Sequence, residues 1–104
     1  MSKRMDQVVA VPLLEVFVRK LRKRTYSELC KFIDDPQCEE VRGPDGKDYQ
    51  AEFEAHWDDP RSVGRNLRVI VSIDDGTFWA AIRPMTKDFI MAPDGSFVGE
   101  LQNH

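Results

Sequence analysis

Residues 48–58 read DYQAEFEAHWD, and the reading of this stretch decides the fold. Tyr49, Ala51, Phe53, Ala55 and Trp57 alternate with Gln50, Glu52, Glu54, His56 and Asp58, so an extended chain turns one face apolar and the other wholly polar. A strict period of 2 does not gather its apolar side chains on one side of a helix. The stretch therefore predicts a half-buried strand.

Upstream of Pro36 the period is different. Val11, Leu14, Phe17 or Val18, and Leu21 recur at spacings of three and four, which predicts an amphipathic helix over about 6–24. Pro12 falls about one turn in, so the helix either begins near Val11 or kinks at the proline. Thr25 with Glu28 three residues on is a capping-box pattern, and Tyr26, Leu29, Phe32 and Ile33 follow at helical spacing. A second helix is expected over about 26–34, stopped by Asp35-Pro36.

Downstream, an eight-residue loop, DDPRSVGR, leads into LRVIVSIDDGTFWAAIRP at residues 67–84. Asp75-Gly76 between apolar runs is a strong hairpin signal, since a two-residue turn of this kind needs positive φ at both positions. That turn pairs Ile73 with Phe78, Val71 with Ala80 and Val69 with Ile82 on one face. On the other face it pairs Ser72 with Trp79, Ile70 with Ala81 and Arg68 with Arg83. Two arginines directly opposed need negative neighbours, and Glu52 and Glu54 are the expected ones.

The tripeptide Pro-Asp-Gly occurs twice, at residues 44–46 and 93–95. Proline presets φ at the second turn position, aspartate bonds local backbone and glycine takes the left-handed position that makes a bulge. Both copies read as hairpin turns. Neither has the further glycines and following helix N-terminus of a phosphate-binding loop.

These elements give an α+β chain read as a single domain over 1–104: two N-terminal helices packed on one face of a mostly antiparallel, curved sheet of four to six strands. In element order it resembles the cystatin-like and ketosteroid-isomerase-like rolls. That resemblance implies a sheet curved around its helices, and no functional residue is transferred from it. The other sheet face, carrying Glu52, Glu54, His56, Arg68, Ile70 and Ser72, with Trp79 and Arg83 in the hairpin partner, is left open to water, a ligand or a partner.

Composition narrows the function classes. With 41% apolar and 32% charged residues in 104, the chain is ordinary for one globular domain. It has no apolar run long enough to cross a membrane and no secretory-signal pattern at its start, so a cytoplasmic setting and no membrane partner are expected. Cys30 and Cys38, eight apart with no third ligand nearby, read as free structural thiols. Residues 1–33 carry eight Lys/Arg against three Asp/Glu, a net +5, and the remainder seven against fifteen, a net −8. The basic excess sits in VRKLRKR at 18–24. Without interleaved aromatics it reads as the solvated C-terminal end of a helix, and no nucleic-acid partner is expected.

Chemistry has few footholds. No serine stands in a nucleophile-elbow setting, and His56 is the one histidine away from the chain end. The set Glu52, Glu54, His56 and Asp58 points from one strand face. A divalent metal is one use of such a set, but alternating charge on an exposed strand produces it without one, and no metal or cofactor is expected. Trp79 flanked by Ile70, Ala81, Arg68 and Arg83 has the composition of an interface centre. The sequence thus points to a binding module that uses Trp79, Arg68, Arg83, Ile70 and Glu52 to hold another protein or a second copy as a homodimer. The alternative is a small-molecule site with an acid/base pair at His56 and Glu54.

Overall fold

The computed structural model describes residues 7–76 and 85–100. Along the chain come α1 (Gln7–Arg22), α2 (Tyr26–Cys30), β1 (Gln37–Arg42), β2 (Asp48–Trp57), β3 (Leu67–Asp74) and β4 (Met85–Met91), an α+β arrangement. Helix α1 runs through Pro12, whose ring sits on the exposed side, and it buries Ala10, Leu14, Phe17 and Leu21. Because the helix begins before Val11, the stripe starts at Ala10, one turn below Leu14, and Val11 is only half-buried.

Thr25 caps α2 as its pattern requires. The Glu28 N–H donates to Thr25 Oγ1 at 3.1 Å, and the Thr25 N–H donates to the Glu28 carboxylate at 3.2 Å. The regular helix ends at Cys30, shorter than its periodicity predicts. Residues 31–33 continue with tighter bonds, Lys31 N–H to Glu28 O, Phe32 N–H to Leu29 O and Ile33 N–H to Cys30 O. The periodic apolar residues still reach the core, since Leu29 and Phe32 are buried.

The described sheet is an antiparallel meander in the order β1-β2-β3-β4, with helices on one side. Tyr49, Ala51, Phe53 and Ala55 of β2 and Leu67, Val69, Val71 and Ile73 of β3 face the helices and are buried. Phe89 and Met91 complete the core from β4. The predicted pairing of β3 is corrected here. Val69, Val71 and Ile73 take Phe89, Lys87 and Met85 as partners, instead of Ile82, Ala80 and Phe78. Asp74 does turn the chain locally, accepting a hydrogen bond from the Gly76 N–H at 2.9 Å with Gly76 at φ +80°. The β3–β4 register places Phe89 and Met91 in the core beside Val69 and Leu67.

Both Pro-Asp-Gly segments form one and the same turn. Gly46 N–H donates to Gly43 O at 3.0 Å and Gly95 N–H to Ala92 O at 2.8 Å. Gly43 N–H then closes on Lys47 O, and Ala92 N–H on Ser96 O, each at 2.8 Å. Gly46 and Gly95 hold the left-handed position at φ +83° and +89°. The first turn joins β1 to β2. The second folds the chain back so that Phe97 bridges Met91 and the Val98 N–H donates to Ile90 O. Cys30 and Cys38 are free thiols.

Candidate functional site

Strand register assigns every even-numbered residue of β2 and β3 to the helix-free face. One row across it reads Cys38, Glu52, Ser72, Thr86, the next Glu54, Ile70, Asp88, and the next His56, Arg68, Ile90. Toward the other end lie Glu40, Gln50 and Asp74, then Arg42 and Asp48. The ladder extends to Asp58, whose N–H donates to Asn66 O at 2.9 Å. Of the residues singled out in the sequence, Glu52, Glu54, His56, Arg68 and Ile70 share this face. Trp79 and Arg83 lie outside the described residues.

Charge on this face is strongly unbalanced. β1 and β2 contribute Glu40, Asp48, Glu52 and Glu54, the end of the ladder Asp58, and β3 and β4 Asp74 and Asp88. Against these seven carboxylates stand Arg42 and Arg68, a formal net charge of −5 among the described residues, counting histidine as neutral. Both arginines are engaged within the chain. Arg42 pairs with Asp48 at 3.2 Å. Arg68 donates to Asp58 Oδ1 from Nε at 3.2 Å and Nη2 at 2.9 Å, and to Asp88 from Nη1. The Asp88 and Asp58 hydrogen bonds push the guanidinium pKa further up. The counter-charges predicted for Arg68 were Glu52 and Glu54, but the pairing of β4 brings Asp88 next to it instead. Glu52 and Glu40 have no ion pair among the described residues, and Glu54 faces only His56, at 3.5 Å.

Partial burial, with the carboxylates of Glu52, Asp74 and Glu40 nearby, pushes the Cys38 thiol up, so it stays protonated at neutral pH. Glu54 and His56 project from the face with side chains 43% and 57% exposed. Among the described residues no group of three or more His, Cys, Asp or Glu side chains is arranged to hold a metal ion. A cleft of about 450 Å³ lies elsewhere, between α2 and the edge of the sheet. Phe32 and Phe53 line it together with Arg24, Lys31, Glu28 and Gln37, and neither His56 nor Glu54 borders it.

The sequence reading missed one residue altogether. Arg22, taken as part of a solvated helix end, lies 3.8 Å above the Phe97 ring and makes two 2.7 Å bonds to Glu100, tying the C-terminal segment to α1. A partner 78 residues away leaves no trace in local spacing. No described helix is long and apolar enough to cross a membrane. No family model, no curated protein and no solved structure matches the chain.

Proposed function

We propose that the protein is a small binding module whose helix-free sheet face docks a cationic segment of a protein partner. The observation that carries this reading is the net charge of −5 that the described residues give this face, with both of their arginines already held by its own aspartates. An approaching chain therefore meets uncompensated carboxylates at Glu40, Glu52 and Glu54, with half-buried Ile70 and Ile90 between them for apolar contact. Arg68 acts in this reading as an organiser, fixing Asp58 and Asp88 at one end of the surface. The curved roll outline of the cystatin-like and ketosteroid-isomerase-like folds belongs to the same reading, since a concave sheet gives an extended segment more contact than a flat one.

A fluorescently labelled Lys/Arg-rich peptide, titrated by anisotropy, tests the proposal. Saturable binding that weakens at least tenfold between 50 mM and 500 mM salt is expected, because exposed charges are screened within about one Debye length, ~8 Å at physiological salt. Glu52→Gln with Glu54→Gln should weaken it comparably. Equal binding of a Glu-rich control peptide, or indifference to the double substitution, would remove the sheet face as the site.

A further inference from the structure

The occupant of the sheet face can be specified further. Resting on the reading above, we propose that it is the helical layer of a second copy of this chain, giving a head-to-tail, front-to-back assembly.

The side of the molecule opposite the acidic face is basic. Residues 7–33 carry Arg19, Lys20, Arg22, Lys23, Arg24 and Lys31 against Glu15 and Glu28, a net +4. Arg22 is engaged with Glu100, but Arg19, Lys23, Arg24 and Lys31 are exposed and have no ion pair among the described residues. Besides the Thr25 hydrogen bonds, nearby Arg24 and Lys31 help hold the Glu28 pKa down, whereas Arg19 and Lys23 pair with neither acid of this layer. Glu15 pairs with Lys87 across the core side at 3.7 Å, and Glu28 closes the α2 cap. Pro12, Val16, Arg19 and Lys20 lie along one outward side of α1, with Lys23 just past its end, so the cations come with exposed apolar neighbours.

The two charged surfaces belong to different layers of a molecule only 18 Å across in its thinnest dimension. A two-fold pairing of sheet faces would oppose −5 with −5, and a two-fold pairing of helical layers would oppose cations with cations. Front-to-back contact alone brings unlike faces together, and a heterologous contact of this kind closes into a ring or propagates as a chain. Four strands about 4.8 Å apart and about eight residues long give a face of roughly 500 Å² in projection. That is toward the small end of specific interfaces, so association belongs at high protein concentration and low salt.

Light scattering with analytical ultracentrifugation of the full chain at several hundred micromolar provides the test. At 20 mM salt the weight-average mass should exceed 12.0 kDa and grow with concentration, and at 1 M salt it should return to the mass of one chain. Arg19→Gln with Lys23→Gln weakens only the helical side, and Glu52→Gln with Glu54→Gln only the sheet side, so the two altered surfaces offer each other no new charge pair. Each variant alone should be monomeric at low salt. An equimolar mixture of the two should form a 1:1 complex and stop there, since one intact front and one intact back remain. Circular dichroism confirms that both variants are folded, and the salt response of the unmodified chain needs no variant. A complex that persists unchanged at 1 M salt, or a mixture that stays monomeric while the unmodified chain assembles, overturns the front-to-back contact. If the unmodified chain is monomeric at low salt yet binds the Lys/Arg-rich peptide, the second copy is wrong and the cationic-partner reading stands. If neither occurs, both are wrong.

Discussion

Replacing Arg22 by methionine should free the C-terminal segment without unfolding the domain. The guanidinium makes two 2.7 Å hydrogen bonds to the Glu100 carboxylate while its carbon sits 3.8 Å from the centre of the Phe97 ring and 5.8 Å from that of Phe89. The pair is not dry, with side chains 31% and 38% exposed, so the ionic part contributes about 0.2–1 kcal/mol. Stacking of an exposed cation on an aromatic ring adds about 0.5–1 kcal/mol. Together they amount to about 0.7–2 kcal/mol, a factor of roughly 3–30 in the open population. Methionine keeps the aliphatic stem and loses both terms. The reporter is the Val98 amide, which donates to Ile90 O at 2.9 Å and opens when the segment lifts. Its hydrogen exchange should accelerate by that factor, while the amides of β2 and β3 hardly change. Arg22→Lys keeps the charge but not the planar fork, and should recover only part of the protection. Unaltered Val98 exchange in Arg22→Met, or full protection in Arg22→Lys, would refute the clamp.

Two further outcomes follow from the first turn. A Cβ on Gly43 would lie 2.6 Å from Tyr49 Cε1 and 2.7 Å from Asp45 Oδ1. One on Gly46 meets only open space and suffers from φ +83° alone. Because Tyr49 is fully buried, Gly43→Ala should cost about 1–3 kcal/mol, as overpacking does, and more than Gly46→Ala. Thermal melts of the two variants compare them, and the reverse order would rule out the steric account. The Tyr49 hydroxyl, donating at 2.7 Å, holds the Asp45 carboxyl below the usual carboxylate range, helped by the Lys47 N–H. A folded-state value below the unfolded one stabilises above the unfolded value, about pH 4, and this contribution disappears as the pH falls through the lower folded value. Urea midpoints of the unmodified chain and Tyr49→Phe should therefore differ by a constant amount above pH 5 and converge in acid, and a gap that widens in acid contradicts the bond.

The parts of the fold legible in the sequence were those set by neighbours along the chain. The alternation in β2, the Thr25–Glu28 cap and the two Pro-Asp-Gly turns depend on residues a few positions apart, and each formed as its chemistry requires. The alternation within β3 also gave its faces correctly, with Val69, Val71 and Ile73 buried. Its partner was another matter. Asp75-Gly76 carried a strong local signal, but the strand that pairs with β3 in the described sheet, MTKDFIM, hides its alternation. It turns Lys87 toward the helices, where Glu15 receives it, and Ile90 toward the open face. For the candidate surface, parity alone put Glu52, Glu54, His56, Arg68 and Ile70 on one face. The sign of that face was hidden, because Glu40, Asp74 and Asp88 join it only through strand register.

Strand β1 supplies a reason for partners to approach through a face and not through an edge. Its outer side pairs with no other strand of the described sheet, and such an edge is a template for another chain. Its residues oppose that use. Glu39 stands on the helix side, opposite Ala51, where an apolar residue would have extended the core, while Glu40 projects to the open face opposite Gln50. Two copies joined edge to edge by antiparallel β1 strands about a two-fold axis at Glu40 would set Glu40 of one directly against Glu40 of the other on the open face, and an axis at Glu39 would oppose the two Glu39 side chains on the helix side. Like charges opposed across a ladder each destabilise it by up to about 1 kcal/mol. At the far side of the sheet, Phe97 and Val98 already occupy β4 beside Met91 and Ile90, held there by Arg22. With one edge charged on both sides and the other partly covered, the acidic sheet face and the basic helical layer are the extended surfaces that the described residues leave accessible. Their opposite signs are the physical argument for the proposed front-to-back contact.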